Sequence, residues 1–302
     1  MKSHNNILFV AAAAALCGCT GGASYEMGTY GYDLDFLAKH EIPTVELASA
    51  DGQSKVMLAP SMQGRVMTST TGGDGGARYG WINYKFIEAG ELSTFFNPYG
   101  GEERFWIGPE GGPNSYYFKK GVEQIYDNWV VPAVIDTESY DIESQAQDKV
   151  VFTKHTEMVN ASDNAFKIGI RRAVTLYEAE KIAEIIGIEV PAGVKSLAYS
   201  TENTLTNEGE NAWTKETGLP SVWLLGSFTP TPTTTVFIPY NKDFEGRLIN
   251  DEYFGKVPAE RLVLEDGMVY FKIDGEYRSK IGLPDGSAKD ICGSYDSENH
   301  VR

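Results

Sequence analysis

The chain has little of what most catalytic or nucleic-acid sites are built from. Among 302 residues there are four histidines, His4, His40, His155 and His300, and three cysteines, Cys17, Cys19 and Cys292. No histidine and cysteine stand at zinc-ligand spacing, so neither a structural nor a catalytic zinc site is expected. There is no EF-hand pattern and no Gly-x-Ser-x-Gly elbow. The sequence implies no cofactor and assigns no metal ligands. Positive charge is scarce: 26 Lys and Arg face 42 Asp and Glu, a net charge of −16. Phosphate backbones are bound by clustered positive charge, so no nucleic-acid partner is expected. No run reaches the roughly 20 apolar residues that a membrane-spanning helix needs. No long segment has a 3.6-residue apolar period, which disfavours Rossmann and TIM architectures. The glycine-rich Gly72-Gly73-Asp74-Gly75-Gly76 lacks the lysine and following helix of a phosphate-binding loop and reads as a surface turn.

What is present begins at the N-terminus. Lys2 precedes an alanine-rich apolar run, Ile7 to Leu16, of signal-peptide rather than transmembrane length. The run ends in Leu16-Cys17-Gly18-Cys19, which resembles a bacterial lipobox and predicts a lipid on Cys19. On this reading residues 1–18 are a signal peptide, and residues 19–31, rich in Gly, Ser, Thr and Tyr, are a tether. Any membrane contact is then through the lipid alone. With Cys17 removed and Cys19 acylated, Cys292 has no partner and the domain has no internal disulfide. Its stability must come from a packed core, and a chain of this length buries about three-quarters of its unfolded surface.

The remainder reads as β-structure. Tyr32 to His40 predicts a short helix capped by Asp33, with Phe36 and Leu37 inward. Val45 to Ser49, Lys55 to Ala59 and Arg65 to Thr70 predict strands separated by Asp51-Gly52 and Pro60 to Gly64. Lys167 to Tyr177 alternates, with Ile168, Ile170, Val174 and Leu176 on one face. Lys181 to Val190, apolar on both faces, reads as a central strand. Arg261 to Glu265, Met268 to Ile273 and Tyr277 to Ile281 are joined by Asp266-Gly267 and Asp274-Gly275, turn pairs that predict an antiparallel meander. The tail from Pro284 to Arg302 has no evident strand, as if closing strands were lacking. With no repeat and no linker after Gly31, residues 32–302 read as one large antiparallel β-domain of stacked sheets.

Three segments carry candidate chemistry. In Asn97 to Gly112 paired glycines bracket carboxylates, an arginine and two aromatics. That mixture suits a sugar: an aromatic face covers the apolar side of the ring while carboxylate and guanidinium meet vicinal hydroxyls. Asn97, Glu102, Arg104, Trp106 and Glu110 are the candidate ligand-binding residues here. Glycine turns, core aromatics and a Glu–Arg ion pair explain the same residues without a ligand. In Tyr199 to Gly209, Glu202 and Asn203 are candidates, because a carboxylate inside a two-faced strand needs a partner or a ligand. Arg65, after Gly64, is the third. His155 reads as a surface residue.

The spacing of Ala59-Pro60…Gly64-Arg65, Gly100-Gly101-Glu102…Arg104…Trp106…Pro109-Glu110 and Asn203…Thr206-Asn207 resembles the galactose-mutarotase-like (aldose 1-epimerase-like) superfamily. From about Pro43 to Tyr295, including Asp251 to Lys256 and Tyr277 to Gly282, the chain resembles a family of lipoproteins from glycan-degrading Gram-negative bacteria. The resemblance implies an all-β supersandwich of large antiparallel sheets with a sugar-sized groove on a concave face. Fold does not give function. Mutarotases use a histidine as general acid, in an Asn-His-x-Tyr-Phe-Asn-type segment, and a C-terminal glutamate as base. Neither has a counterpart here, and Glu298 lies in a loop-like tail. The expectation is a cell-envelope lipoprotein that binds carbohydrate without catalysis. A sugar-acting enzyme with Glu110 and Glu202 as acid and base, and a structural lipoprotein with a vestigial groove, are the alternatives. The residues after Cys19 lack the acidic run that resembles a surface-export signal in such bacteria, so a periplasm-facing outer-membrane anchor is expected.

Overall fold

A computed structural model describes residues 24–302, so the expected signal peptide and Cys19 lie outside the described residues. Strands β1 (Val45–Ala48), β2 (Lys55–Ala59) and β3 (Arg65–Thr70) form an antiparallel sheet in that order. Its two faces serve different cores because side chains alternate along a strand. Val56 and Leu58 of β2 turn one way, and Met57 and Ala59 the other. Helices α1 (Tyr30–Lys39) and α2 (Tyr84–Ala89) cover the second face, burying Tyr30, Phe36, Leu37 and Ile87 against Met57 and Met67.

The first face packs on β4 (Arg104–Gly108) and on a four-stranded sheet of β5 (Asp141–Gln145), β6 (Lys149–Val159), β7 (Ala165–Tyr177) and, after α3 (Ala179–Ile186), β8 (Ala198–Asn207). Ile168, Ile170, Val174 and Leu176 point into this core, as the alternation predicts, and Phe152 of β6 joins them. Burying each such side chain contributes about 1.5–3 kcal/mol. β4 pairs with β9 (Ser221–Leu225), placing Trp106 opposite Trp223. A last sheet has the order β11-β12-β10-β13, from β10 (Thr235–Pro239), β11 (Leu262–Glu265), β12 (Met268–Lys272) and β13 (Gly293–Tyr295). The protein is thus predominantly β, with every strand pairing antiparallel. That agrees with the expected all-β class.

Four local expectations are corrected. The segment expected as a central strand at Lys181 to Val190 is mostly helix: α3 starts after Glu178 and stops at Gly187 in the left-handed region. Ile182, Ile185 and Ile186 recur at helical spacing in a run of Ala, Glu and Lys, and that period outweighs the β-propensity of isoleucine. α1 begins at Tyr30, inside the expected tether, and its cap is Thr29, whose hydroxyl accepts from Tyr32 N. Asp33 is instead buried against Arg78 and Tyr84. The Asp266-Gly267 turn joins β11 to β12 with both residues at positive φ, but Tyr277 to Ile281 forms no strand. Asp274, expected to lead a turn, is engaged by Arg261 and Lys272. The tail does supply a strand, since β13 pairs with β10.

Candidate functional site

Between the two main sheets lies a network of buried charge. It starts with a tight turn in which Gln63 and Gly64 both take positive φ. A Cβ on Gly64 would sit 2.5 Å from the Phe152 ring, so only glycine brings β3 this close to β6. Arg65, delivered by that turn, is 1 % exposed. Its Nη1 donates to the Gly100 carbonyl at 2.9 Å and its Nη2 to Gln63 Oε1 at 3.2 Å. Gly101 has φ 113°, and a Cβ there would meet Arg65 Cδ at 2.6 Å. Gly101 therefore lets backbone lie flat on the arginine stem, while Gly100 makes room for a different neighbour, the Trp81 carbonyl, which a Cβ there would strike. Burial, reinforced by Arg104, pushes the Arg65 guanidinium well below its ordinary pKa, with Asp136 opposing.

Arg104 on β4 donates to Asp136 Oδ1 at 2.8 Å and to the Ile135 carbonyl at 2.6 Å. Its guanidinium also stacks 4.3 Å from the centroid of Trp106. Asn97 completes the carboxylate, its Nδ2 donating to Asp136 Oδ2 at 2.6 Å. On β7, Arg172 grips Glu103 through both terminal nitrogens. It also donates to the Gly64 carbonyl at 3.1 Å and to Asn203 Oδ1 at 2.8 Å. Glu102 Oε1 accepts from Ser69 Oγ at 2.8 Å and from the Tyr199 hydroxyl at 3.1 Å, while Oε2 has no partner. Three guanidiniums and three carboxylates thus share one interior, where unpaired charge would be costly.

Beside this network is a cavity of about 740 Å³. Asn97 and Asp136 form part of its lining, together with Tyr117, Phe118 and Val131. Lys120 and Asp163, both exposed, also line it and pair at 3.1 Å. Its wall belongs to an aromatic column: Tyr126 stacks on Trp129, Trp129 on Tyr117 at 5.6 Å, and Tyr117 on Trp106 at 5.8 Å. Trp106 then meets Trp223 at 5.3 Å, on the exposed strand β9.

Past the end of β4, Glu110 is half-buried. Burial raises its carboxyl pKa, opposed by the nearby indole N–H of Trp106, which falls short of a hydrogen bond, and by Lys280. Lys280 lies 4.7 Å from the Tyr253 ring centroid. The glycine-bracketed segment, Asp251 to Lys256 and Tyr277 to Gly282 therefore approach one another in the fold.

Residues 28–301 match the family described as "Family of unknown function (DUF6786)". The chain belongs to that family. Among solved structures it is similar to the crystal structure of a galactose mutarotase-like protein from Lactobacillus casei ATCC 334. The two are 10% identical with a TM-score of 0.46, over 76% of this chain and 67% of that one. No curated protein matches the chain.

The eight candidate residues do not gather on one open surface. Arg65, Asn97, Glu102, Arg104 and Trp106 are buried, and each is held by the interior. Asn203 touches the network through Arg172. Glu202 is turned out from β8, on the face opposite Asn203, and makes no hydrogen bond or ion pair among the described residues. Glu110 stands apart, beside Trp106 and Lys280. His155 is exposed on β6 and bonded to Glu208 at 2.8 Å. Asp136, Glu103 and Arg172 are the members that the sequence reading missed. Arg172 had a signal: it occupies the buried register of β7, between Ile170 and Val174.

Glu102 gives this interior a pH dependence. Burial holds its pKa above the ordinary carboxylate value. Folded protein therefore binds a proton that unfolded chain has released, and stability drains away as pH rises through that interval. Glu102→Gln keeps the acceptor for Ser69 and Tyr199 and removes the ionisation. Urea titrations should find it at least as stable as wild type at pH 7, with the two converging below pH ~4.5, the ordinary glutamate region. A variant weaker than wild type at pH 7 would show that the charged form is the favoured one.

Proposed function

We propose that the protein is a lipid-anchored cell-envelope protein whose domain binds carbohydrate in the cavity beside Asn97 and Asp136. The cavity itself carries the reading. Its volume of about 740 Å³ falls in the range of small-ligand sites, and such sites combine apolar walls with a few fixed polar groups. Tyr117 and Phe118 offer ring surface, while Asn97 and Asp136 offer polar groups locked in place by Ser93 and Arg104. Pre-set polar groups cost less to order around a ligand's hydroxyls. The lipobox-like segment ending at Cys19 supports the anchor.

A catalytic reading has less behind it, because Glu110 and Glu202 belong to different surroundings: one beside Trp106, the other on the outer face of β8. Screening the full chain on a broad glycan array, with calorimetry on the hits, tests the proposal together with detergent-phase partitioning for the anchor. Ala133 lines the cavity and is exposed, so Ala133→Trp should obstruct it with little cost to folding. The expected result is loss of sugar binding at an unchanged melting temperature. Binding that survives Ala133→Trp would place the sugar elsewhere, and no binding tighter than about millimolar, some 4 kcal/mol, would end the carbohydrate reading.

A further inference from the structure

The two segments Asp251 to Lys256 and Tyr277 to Gly282 are tied together at Asn250 and Gly282, which exchange backbone hydrogen bonds of 2.8 and 2.9 Å. This junction sets two cations over two neighbouring rings. Lys280 Nζ lies 4.7 Å from the Tyr253 centroid, and the Arg278 guanidinium 4.3 Å from that of Phe254. The rings are 47% and 51% exposed, and both cations are exposed.

The charge balance around them is uneven. Asp251 is matched by Lys256 at 2.8 Å and Arg247 at 3.2 Å, and Glu252 by Arg247 at 3.2 Å. Arg261, over Tyr277, is taken by Asp274. Arg278 and Lys280 form no ion pair with any carboxylate among the described residues. Glu276, in the same segment, reaches neither, and Glu110 feels Lys280 without pairing to it. A ring face holds a cation without neutralising it. In a chain of net charge −16, this leaves two positive charges preorganised beside half-open aromatic surface.

We propose that Arg278 and Lys280, held on Phe254 and Tyr253, form a subsite for an acidic glycan, binding the carboxylate of a uronic acid or a sulfate ester. The planar fork of Arg278 suits either oxyanion, and Lys280 adds a point charge. The rings supply apolar surface for the sugar that bears the anion. The site does not use the cavity, so the two readings stand or fall separately.

The test compares oligogalacturonate and chondroitin sulfate oligosaccharides with neutral cello-oligosaccharides, by calorimetry on the full chain. Arg278→Gln/Lys280→Gln is the variant, with Ala133→Trp as the control for the cavity. Acidic oligosaccharides should bind wild type and Ala133→Trp alike. The double variant should lose about tenfold or more in affinity, as expected for two charge-assisted contacts. Salt at about 0.5 M should weaken the wild-type interaction, since these groups are exposed to screening. Both side chains are exposed, so the melting temperature should not move. No binding of either acidic probe overturns the inference, as does equal affinity of wild type and double variant. Anionic phospholipid vesicles are the last arm: binding to them without binding to the oligosaccharides would also overturn it.

Discussion

An Asp136→Ala variant is expected to lose about 3–5 kcal/mol of stability, read from the shift of its urea midpoint at unchanged m-value. The lost ion pair does not set that magnitude. What remains does: Arg104, 2 % exposed, would keep its guanidinium inside with only the Ile135 carbonyl and aromatic faces as partners. Burial already lowers the Arg104 pKa, and Asp136 is the main force acting against it. Asn97 would lose its carboxylate acceptor in the same stroke. Removing both charges together tells the terms apart. Arg104→Met with Asp136→Leu should recover most of the loss, because apolar groups of similar volume substitute for a buried pair at little net cost. A single-variant loss below about 1 kcal/mol would mean that water reaches Arg104, since an exposed ion pair is worth no more than that.

This network also shows where the sequence could be read and where it could not. Strands β1, β2 and β3 and the buried face of β7 were legible, because alternation and turn residues are local properties. α3 was misread, since eight residues of Ala, Glu, Lys and Ile satisfy a helical period and a strand composition together. The paired glycines at 100 and 101 were recognisable as special. Their reasons, the Trp81 carbonyl against Gly100 and the stem of Arg65 against Gly101, lie far back in the chain. The same limit applies to the candidate site. Arg65, Glu102 and Arg104 stood out as charges among aromatics, but sequence holds no record of depth. A buried, paired arginine and a ligand-facing one have the same neighbours in the chain. Asp136 was passed over because its partners, Asn97 and Arg104, lie more than 30 residues upstream. The cavity is built mostly from loops and short turns, which have no period to read.

Trp106→Ala is the second large effect expected, and it should reach both stability and binding. Trp106 is 2 % exposed and sits at the middle of the aromatic column, against Tyr117, Trp223, Phe96 and the Arg104 guanidinium. Emptying that position costs the transfer energy of the indole and leaves a void that rigid neighbours cannot close, together about 3–5 kcal/mol. Tyr117 is the link to function. One face of its ring packs on Trp106, its hydroxyl donates to the Ile107 carbonyl at 2.7 Å, and the residue lines the cavity. Without the indole behind it the wall is free to shift, so sugar affinity should fall in protein that is still folded. Trp106→Phe separates packing from hydrogen bonding. Nε1 has no hydrogen-bond partner, so phenylalanine removes a buried unsatisfied N–H along with some contact area. It should therefore cost much less than alanine and keep the cavity wall in place. Equal losses for the two variants would assign Trp106 a polar role, with the Glu110 carboxyl as its partner.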